Sequence, residues 1–345
     1  MEDISFKVSY MTYLPREANA PRLTIIGHEP KTYLVKFINN DNNQVLSSGY
    51  CQNNGTIVAG VTQVFINWRI EVYDIQKLIF VDFFNPVGKN VFIKIDSYAL
   101  GDTIAWMPYL QIFKQKYNCN LICSTFHNYL FLDAYPEFLF VQPNTAIENV
   151  YAQYYIGAAY DNNPKYCYLN ASNVPLQKIA SSILNLEHQE VKPKLNPWYY
   201  NLLPRFSDKY ITLSEFGSAP KKDWQGSWQA VVDFFNDKGY QVLVISKEKT
   251  ELQNIIDLSG DYPLQERIND ILHARYHFGV SSGLSWLAWA LNTEVFMISD
   301  VTPFSHEFTS NVIRVGNPNL LTVDYNSTER TSTDMVLEKL KNLNL

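Results

Sequence analysis

The chain has little charge and few cysteines: 18 % of its 345 residues are Asp, Glu, Lys or Arg, and four are Cys. Four thiols cannot staple a chain of this length, so its stability must come from burial, which 46 % hydrophobic residues can supply. Basic residues are in deficit. Against 34 acidic side chains stand 28 Lys and Arg, a net charge of −6. That balance offers no basic stripe for a nucleic-acid strand, although one nucleotide needs only a local cradle. No apolar run approaches the roughly 18 residues of a membrane span, so no stable membrane insertion is expected. The start, Met1-Glu2-Asp3-Ile4, is acidic where a secretion signal would be basic, and a cytoplasmic protein is expected. Also missing are the patterns GxxxxGK[ST], GxGxxG and GxSxG. Phosphate-loop ATPase, dehydrogenase and α/β-hydrolase readings lose support with them.

Cysteine arithmetic gives no metal site. Cys119-x-x-x-Cys123 has a metal-like spacing, but Cys123 sits in the apolar run Leu121-Ile122-Cys123-Ser124, which reads as a strand. Neither Cys51 nor Cys167 completes a second close pair, so structural thiols and no metal cofactor are expected.

What is present is α/β in texture, in a chain long enough for two or three domains. Residues 1–86 read as β-rich: Tyr33 to Ile38, Gln44 to Ser48, Thr56 to Ala59, Val64 to Tyr73 and Lys77 to Phe84 alternate with Asn-rich turns. Asn54-Gly55 predicts a hairpin between its flanking runs. After Asn85-Pro86-Val87-Gly88 the pattern changes to strand–loop–helix. Asn90 to Ile95, the loop 96–102, a helix from Thr103 to Lys116 and Asn120 to Ser124 form a βαβ unit. Residues 144–200 carry little pattern and end in the connection Lys192 to Pro197. A second α/β half follows, with strands at Tyr210 to Ser214, Gln241 to Ser246, His277 to Val280 and Glu294 to Ser299. The predicted domains are 1–86 (β-rich), 87–200 (first Rossmann-like half, acceptor side) and 201–345 (second half, donor side).

Three loops can carry chemistry. Gly101-Asp102 lies between a strand's end and a helix start, where open α/β sheets bind ligands; Asp102 is either a base or a plain N-cap. Gly217-Ser218 through Lys222-Asp223-Trp224 follows the strand Tyr210 to Ser214. Its small residues admit a phosphate and its lysine supplies charge, or it is a solvated loop. Ser281-Ser282-Gly283-Leu284 opens a helix whose amides suit a diphosphate, or forms an ordinary βα turn. Ser246, at the end of its strand, is counted with the donor group. Together they place a diphosphate grip in the second half and a lone carboxylate in the first.

These motifs resemble the bacterial heptosyltransferases over roughly residues 88–310. The likeness runs through Val91 to Lys116 with Gly101-Asp102, the Gly217 to Trp224 loop, and Asp257-Leu258-Ser259-Gly260 leading into Leu264 to Ala274 and Val280 to Leu291. The N-terminal β segment and Ser-Gly-Leu-Ser-Trp-Leu resemble the autotransporter branch of that family, which uses ADP-heptose on serines of surface adhesins. The resemblance implies a GT-B fold, an inverting transfer, Asp102 as general base, Lys222 on the donor diphosphate, a protein acceptor and a homo-oligomer. Two features depart from the pattern. Ser281-Ser282-Gly283 and Trp286 stand where lipopolysaccharide heptosyltransferases carry Asp-Thr-Gly and His, and the branch's iron-binding C-terminal cysteine cluster has no counterpart after Cys167. Alternatives are a lipid-linked or polysaccharide acceptor, or an idle sugar-nucleotide-binding scaffold.

Overall fold

Apolar runs alternating with helices build parallel sheets, and a computed structural model contains two of them. It describes residues 4–11, 18–60, 65–160, 174–217, 222–300, 306–316 and 330–343. The chain begins with β1 (Ser5–Met11), β2 (Ala18–Ile26), β3 (Thr32–Asn39), β4 (Gln44–Gln52), β5 (Thr56–Val58), β6 (Trp68–Asp74) and β7 (Lys77–Phe83). The first half continues with β8 (Asn90–Ile95), α1 (Leu100–Tyr117), β9 (Asn120–Thr125), β10 (Leu139–Val141), β11 (Ala152–Tyr155) and α2 (Leu176–Ile183).

One sheet runs β10-β9-β8-β11-β1-β2-β5. Its parallel part, β10 to β1, is entered at β8, whose neighbours β9 and β11 lie on opposite sides. That reversal is the switch point at which such sheets bind ligands. The other parallel sheet runs β14-β13-β12-β15-β16-β17. It comprises β12 (Tyr210–Ser214), β13 (Gln241–Val244), β14 (Ile256–Asp257), β15 (Tyr276–Val280), β16 (Glu294–Ile298) and β17 (Val312–Val315). Its switch point lies at β12, between β13 and β15. Around it lie α3 (Trp228–Asp237), α4 (Leu264–Leu272), α5 (Gly283–Ala290) and α6 (Thr333–Lys341). All five residues of β12 and of β15 are buried, as strands covered on both faces must be.

The expected self-contained β-rich domain over 1–86 is corrected here. β1 pairs in parallel with β11 and carries β2 and β5 with it, so these strands extend the first-half sheet. Only β4-β3-β6-β7 form a separate antiparallel sheet. The hairpin expected at Asn54-Gly55 is absent for a related reason. Asn54 donates from its backbone to the Ile25 carbonyl and from its side chain to that of Gly27, which hands β5 to β2 in the other sheet.

The small sheet buries Tyr33, Val35, Phe37, Trp68, Ile70 and Val72 in the same core as Val91, Ile93 and Phe113 of the first half. Fully buried Tyr10 on β1 donates its hydroxyl to Asp82 of β7 at 2.8 Å. That bond joins the two sheets. Burial pushes the Asp82 carboxyl above its usual range, so the phenol is a needed partner rather than an ornament. Tyr10→Phe should lower the unfolding free energy by about 1 kcal/mol, the worth of one hydrogen bond to a half-buried carboxylate, as read from urea denaturation. An unchanged midpoint would show that the sheets are held by packing alone.

Candidate active site

The first loop of interest begins at the end of β8 and runs into α1. The helix was expected to start at Thr103 but starts at Leu100, with Ala99 as its N-cap and no side-chain capping bond. Asp102 therefore lies in the first turn, which overturns the plain N-cap reading. Its carboxylate takes two hydroxyls instead: Ser97 donates to Oδ2 at 2.7 Å and Tyr160 to Oδ1 at 2.8 Å. Asp102 is buried. That burial raises its pKa above the usual carboxylate range, while the two hydroxyls and the charges of Lys222 and His306 pull the other way.

The same interactions locate the second half. Lys222 follows β12 by eight residues in sequence, yet its charge acts on a carboxylate on the first half's α1, favouring the ionised form. Its loop is closed by Asp223, which accepts from the Gly217 amide at 2.8 Å. A Cβ on Gly217 would sit 2.7 Å from Lys222 Cβ, so the glycine makes room for the lysine's path. Ser218 and Lys221 lie outside the described residues.

The halves meet through two glycines. A Cβ on Gly101 would lie 3.0 Å from the Trp286 ring, and one on Gly283 would lie 2.9 Å from Leu100 Cβ and 3.4 Å from the Gly101 amide nitrogen. The N-termini of α1 and α5 are thereby packed against each other. The first-turn amides of each helix lie at the positive end of its dipole. Trp286, Trp289 and Phe308 bury this contact in the core of the first half.

The expected donor residues divide. Ser282 is the N-cap of α5 in extended backbone, makes no side-chain cap bond, and its hydroxyl has no partner among the described residues. Gly283 and Leu284 follow it in the first turn. Ser281 points elsewhere: its hydroxyl donates to Glu307, whose other oxygen pairs with Arg314 at 3.0 Å. Ser246 accepts from the Glu215 amide at 2.9 Å and so braces the edge of β12. Sequence reasoning missed Ser97, Tyr160, His306 and Glu215. Burial raises the Glu215 carboxyl above its usual range, and its Oε2 has no partner among the described residues. Ser97 was legible as a hydroxyl five residues before a candidate base. The others come from patternless stretches or directly follow an expected strand.

Two doubly wound sheets, with a buried carboxylate at the start of α1 in one half and a lysine and an unbonded helix N-cap in the other, make up a two-Rossmann architecture. Residues 165–313 match the model of glycosyltransferase family 9 (heptosyltransferase). The chain is 28 % identical to the autotransporter heptosyltransferase Aah of Escherichia coli, over 79 % of this chain and 73 % of that one. It is 26 % identical to the inactive autotransporter heptosyltransferase BimC of Burkholderia thailandensis, over 73 % of this chain and 62 % of the other. In fold it is similar to the dodecameric iron-containing glycosyltransferase TibC of enterotoxigenic E. coli. The TM-score is 0.77 at 23 % identity, covering 91 % of this chain and 82 % of that one. TibC has also been solved with ADP-D-β-D-heptose, again at a TM-score of 0.77 and at 22 % identity, over 92 % and 82 % of the two chains. These likenesses, to autotransporter heptosyltransferases in sequence and to TibC in fold, support a nucleotide-sugar glycosyltransferase.

One expectation falls with this comparison. Metal independence is withdrawn, because TibC is iron-containing in both structures. Among the described residues no group of three or more His, Cys, Asp or Glu could hold a metal ion. Cys119 and Cys123 are buried, the Cys119 thiol pushed up to about 11 and that of Cys123 also raised, which disfavours the thiolate a metal needs. Cys167 lies outside the described residues. The described residues do not fit an iron site. Among them, too, no helix is long and apolar enough to cross a membrane.

The glycine contact has a consequence that can be measured. Gly283→Ala places a methyl group against Leu100 Cβ, which cannot swing away. It should destabilise the protein by about 1–3 kcal/mol, as overpacking does, and lower transfer more than Gly60→Ala, where a Cβ meets open space. Equal activity of the two variants would mean that the halves need not approach so closely.

Proposed function

We propose that this protein transfers heptose from ADP-heptose to a hydroxyl of a protein acceptor, with inversion at the anomeric carbon. The observation that carries this reading is the buried Asp102 carboxylate at the close contact between the starts of α1 and α5, within reach of the Lys222 charge. The names of Aah and TibC, and the ADP-D-β-D-heptose complex of TibC, support the donor and the class of acceptor.

In this reading Asp102 takes the proton of the acceptor hydroxyl. The oxygen forms its bond to the anomeric carbon from the face opposite the diphosphate, and the bond to the diphosphate oxygen breaks. Charge then develops on the departing ADP. Lys222, the Ser282 hydroxyl and the amides of Gly283 and Leu284 stabilise it, with Gly101 admitting the Trp286 ring and Gly217 the Lys222 stem. These groups are fixed before reaction, so little reorganisation is needed as the charge moves. Ser246 shapes the edge of the donor pocket through Glu215.

Substitutions separate the two roles. Asp102→Asn should lose about 100-fold or more in turnover while binding ADP-heptose as well as the parent. Lys222→Ala should weaken ADP-heptose binding by about 1–3 kcal/mol, in a salt-sensitive way, by calorimetry. Because Asp102 must be ionised and its pKa is raised, kcat/KM of the parent should fall with decreasing pH above the ordinary carboxylate range. Near-normal transfer by Asp102→Asn would remove the base. A second reading, a donor-binding protein that does not transfer, is favoured by the likeness to BimC. ADP-heptose binding by the parent with no ADP release under any acceptor would select it.

The outer face of the small sheet suggests an assembly surface. Tyr50 on β4, Val81 and Phe83 on β7, and Ile75 at the β6–β7 turn are exposed, Ile75 at 88 %. Tyr50 and Phe83 share one face, since their ladder partners Leu34 and Arg69 both alternate with buried neighbours. A homo-oligomer covering this face is the reading that TibC's dodecamer supports. Tyr50→Glu with Phe83→Glu should convert the assembly to smaller species in light scattering. A parent chain that is a clean monomer at micromolar concentration would end the idea.

A further inference from the structure

Asp102 is only 7 % exposed, whereas the tyrosine bonded to its Oδ1 is 47 % exposed. Tyr160 thus stands on the solvent side of an otherwise closed carboxylate. It ends the short turn Ile156–Tyr160 that follows β11, and its ring lies tilted 5.8 Å from that of Trp106. Trp106 is itself immobile: it is fully buried, and its indole nitrogen donates to the Leu176 carbonyl at 2.9 Å. The phenol is therefore backed by a fixed side chain one turn further along the helix that carries Asp102.

Four groups face Asp102 from the elements around it. They are the Ser97 hydroxyl from the β8–α1 loop, Tyr160 from the turn after β11, and the charges of Lys222 and His306. His306 is held in turn by the Val174 carbonyl through Nδ1 at 2.8 Å. Ser97 is anchored as well, since it accepts from the Ala99 amide at 3.1 Å while donating to Oδ2.

We propose that Tyr160 is a positioning residue for the transfer: with Ser97 it fixes the plane of the Asp102 carboxylate, and its hydroxyl marks the approach to Oδ1 that the acceptor hydroxyl takes. This inference rests on Asp102 being the base. A base must come within about 2.6–3.2 Å of the oxygen it deprotonates. Oδ2 is taken by Ser97, which the Ala99 amide holds in place, whereas the residue on Oδ1 is half-exposed, so the acceptor arrives at Oδ1, beside the tyrosine. A carboxylate oxygen has two lone pairs and can accept from the phenol and the acceptor together. Tyr160 is not the base itself. Burial and the adjacent carboxylate hold its phenol far above the ordinary tyrosine range, so it keeps its proton and only donates. The proton released by the acceptor goes to Asp102 Oδ1.

The test measures ADP release from ADP-heptose with a serine-containing polypeptide as acceptor, across pH, for the full chain. Tyr160→Phe keeps the ring on Trp106 and deletes the hydroxyl. Its kcat should fall about tenfold, one hydrogen bond's worth, with ADP-heptose affinity unchanged. The acid limb of its kcat/KM profile should move up by about one pH unit, because a donor that favours the ionised carboxylate is gone. Ser97→Ala should shift the limb in the same direction, and Ser97→Thr should restore it. An acid limb that coincides with the parent's, or a loss of rate uniform across pH, overturns the proposal. Asp102→Asn distinguishes the failures. If it still turns over, the base assignment is wrong; if it is inactive while the Tyr160→Phe limb is unmoved, only the tyrosine's role is wrong.

Discussion

The close contact between the starts of α1 and α5 is the constraint on which the site depends. The two helix starts approach this closely because each brings a glycine against the other's side chain, Gly101 against Trp286 and Gly283 against Leu100. From it follow the register of the two halves, the placing of Trp286 over Gly101, and the reach of the Lys222 charge to Asp102. Two positive dipole ends directed at one region would repel if left unfilled. The Asp102 carboxylate in the first turn of α1 is placed to relieve that.

The electrostatics carry a stability cost. Asp102 titrates above its ordinary value in the folded chain, so the unfolded chain gives up that proton more readily. The sign follows directly: this group costs no stability below its unfolded pKa, and the cost grows as pH rises through the folded one. A buried, hydrogen-bonded carboxylate with a lysine nearby is therefore kept against folding, as groups poised for proton transfer often are. The wide core offsets it. A single continuous apolar cluster runs from Trp68 and Ile70 in the small sheet through α1 to Trp289 and Phe308 of the second half.

That continuity also explains why the N-terminal strands are not an independent unit. β11 offers an open edge beside β8, and β1 covers it in parallel, closing the ladder and removing an unpaired strand edge. β2 and β5 then follow antiparallel. The small sheet is left to cover the remaining apolar face, and its outer side still exposes Tyr50 and Phe83.

Much of the second half was legible in the sequence because it is local. Apolar runs of strand length, Gly239 at positive φ after α3, and Gly283 opening α5 each follow from short-range patterns. The strand–loop–helix unit at 90–117 was legible for the same reason. Which sheet β1 and β5 would join was not, because strand partners are chosen by long-range edges and an Asn54 contact with Gly27 that no local pattern encodes. Tyr160 and His306 were equally hidden. They lie 58 and 204 positions from Asp102 in number, in stretches without periodicity, and only the packing of β11 and of the second half against α1 brings them to it. The sequence by itself determined which residues could do chemistry; the tertiary structure decided which of them meet, because burial and hydrogen bonding at a site are properties of contacts that the chain order does not contain.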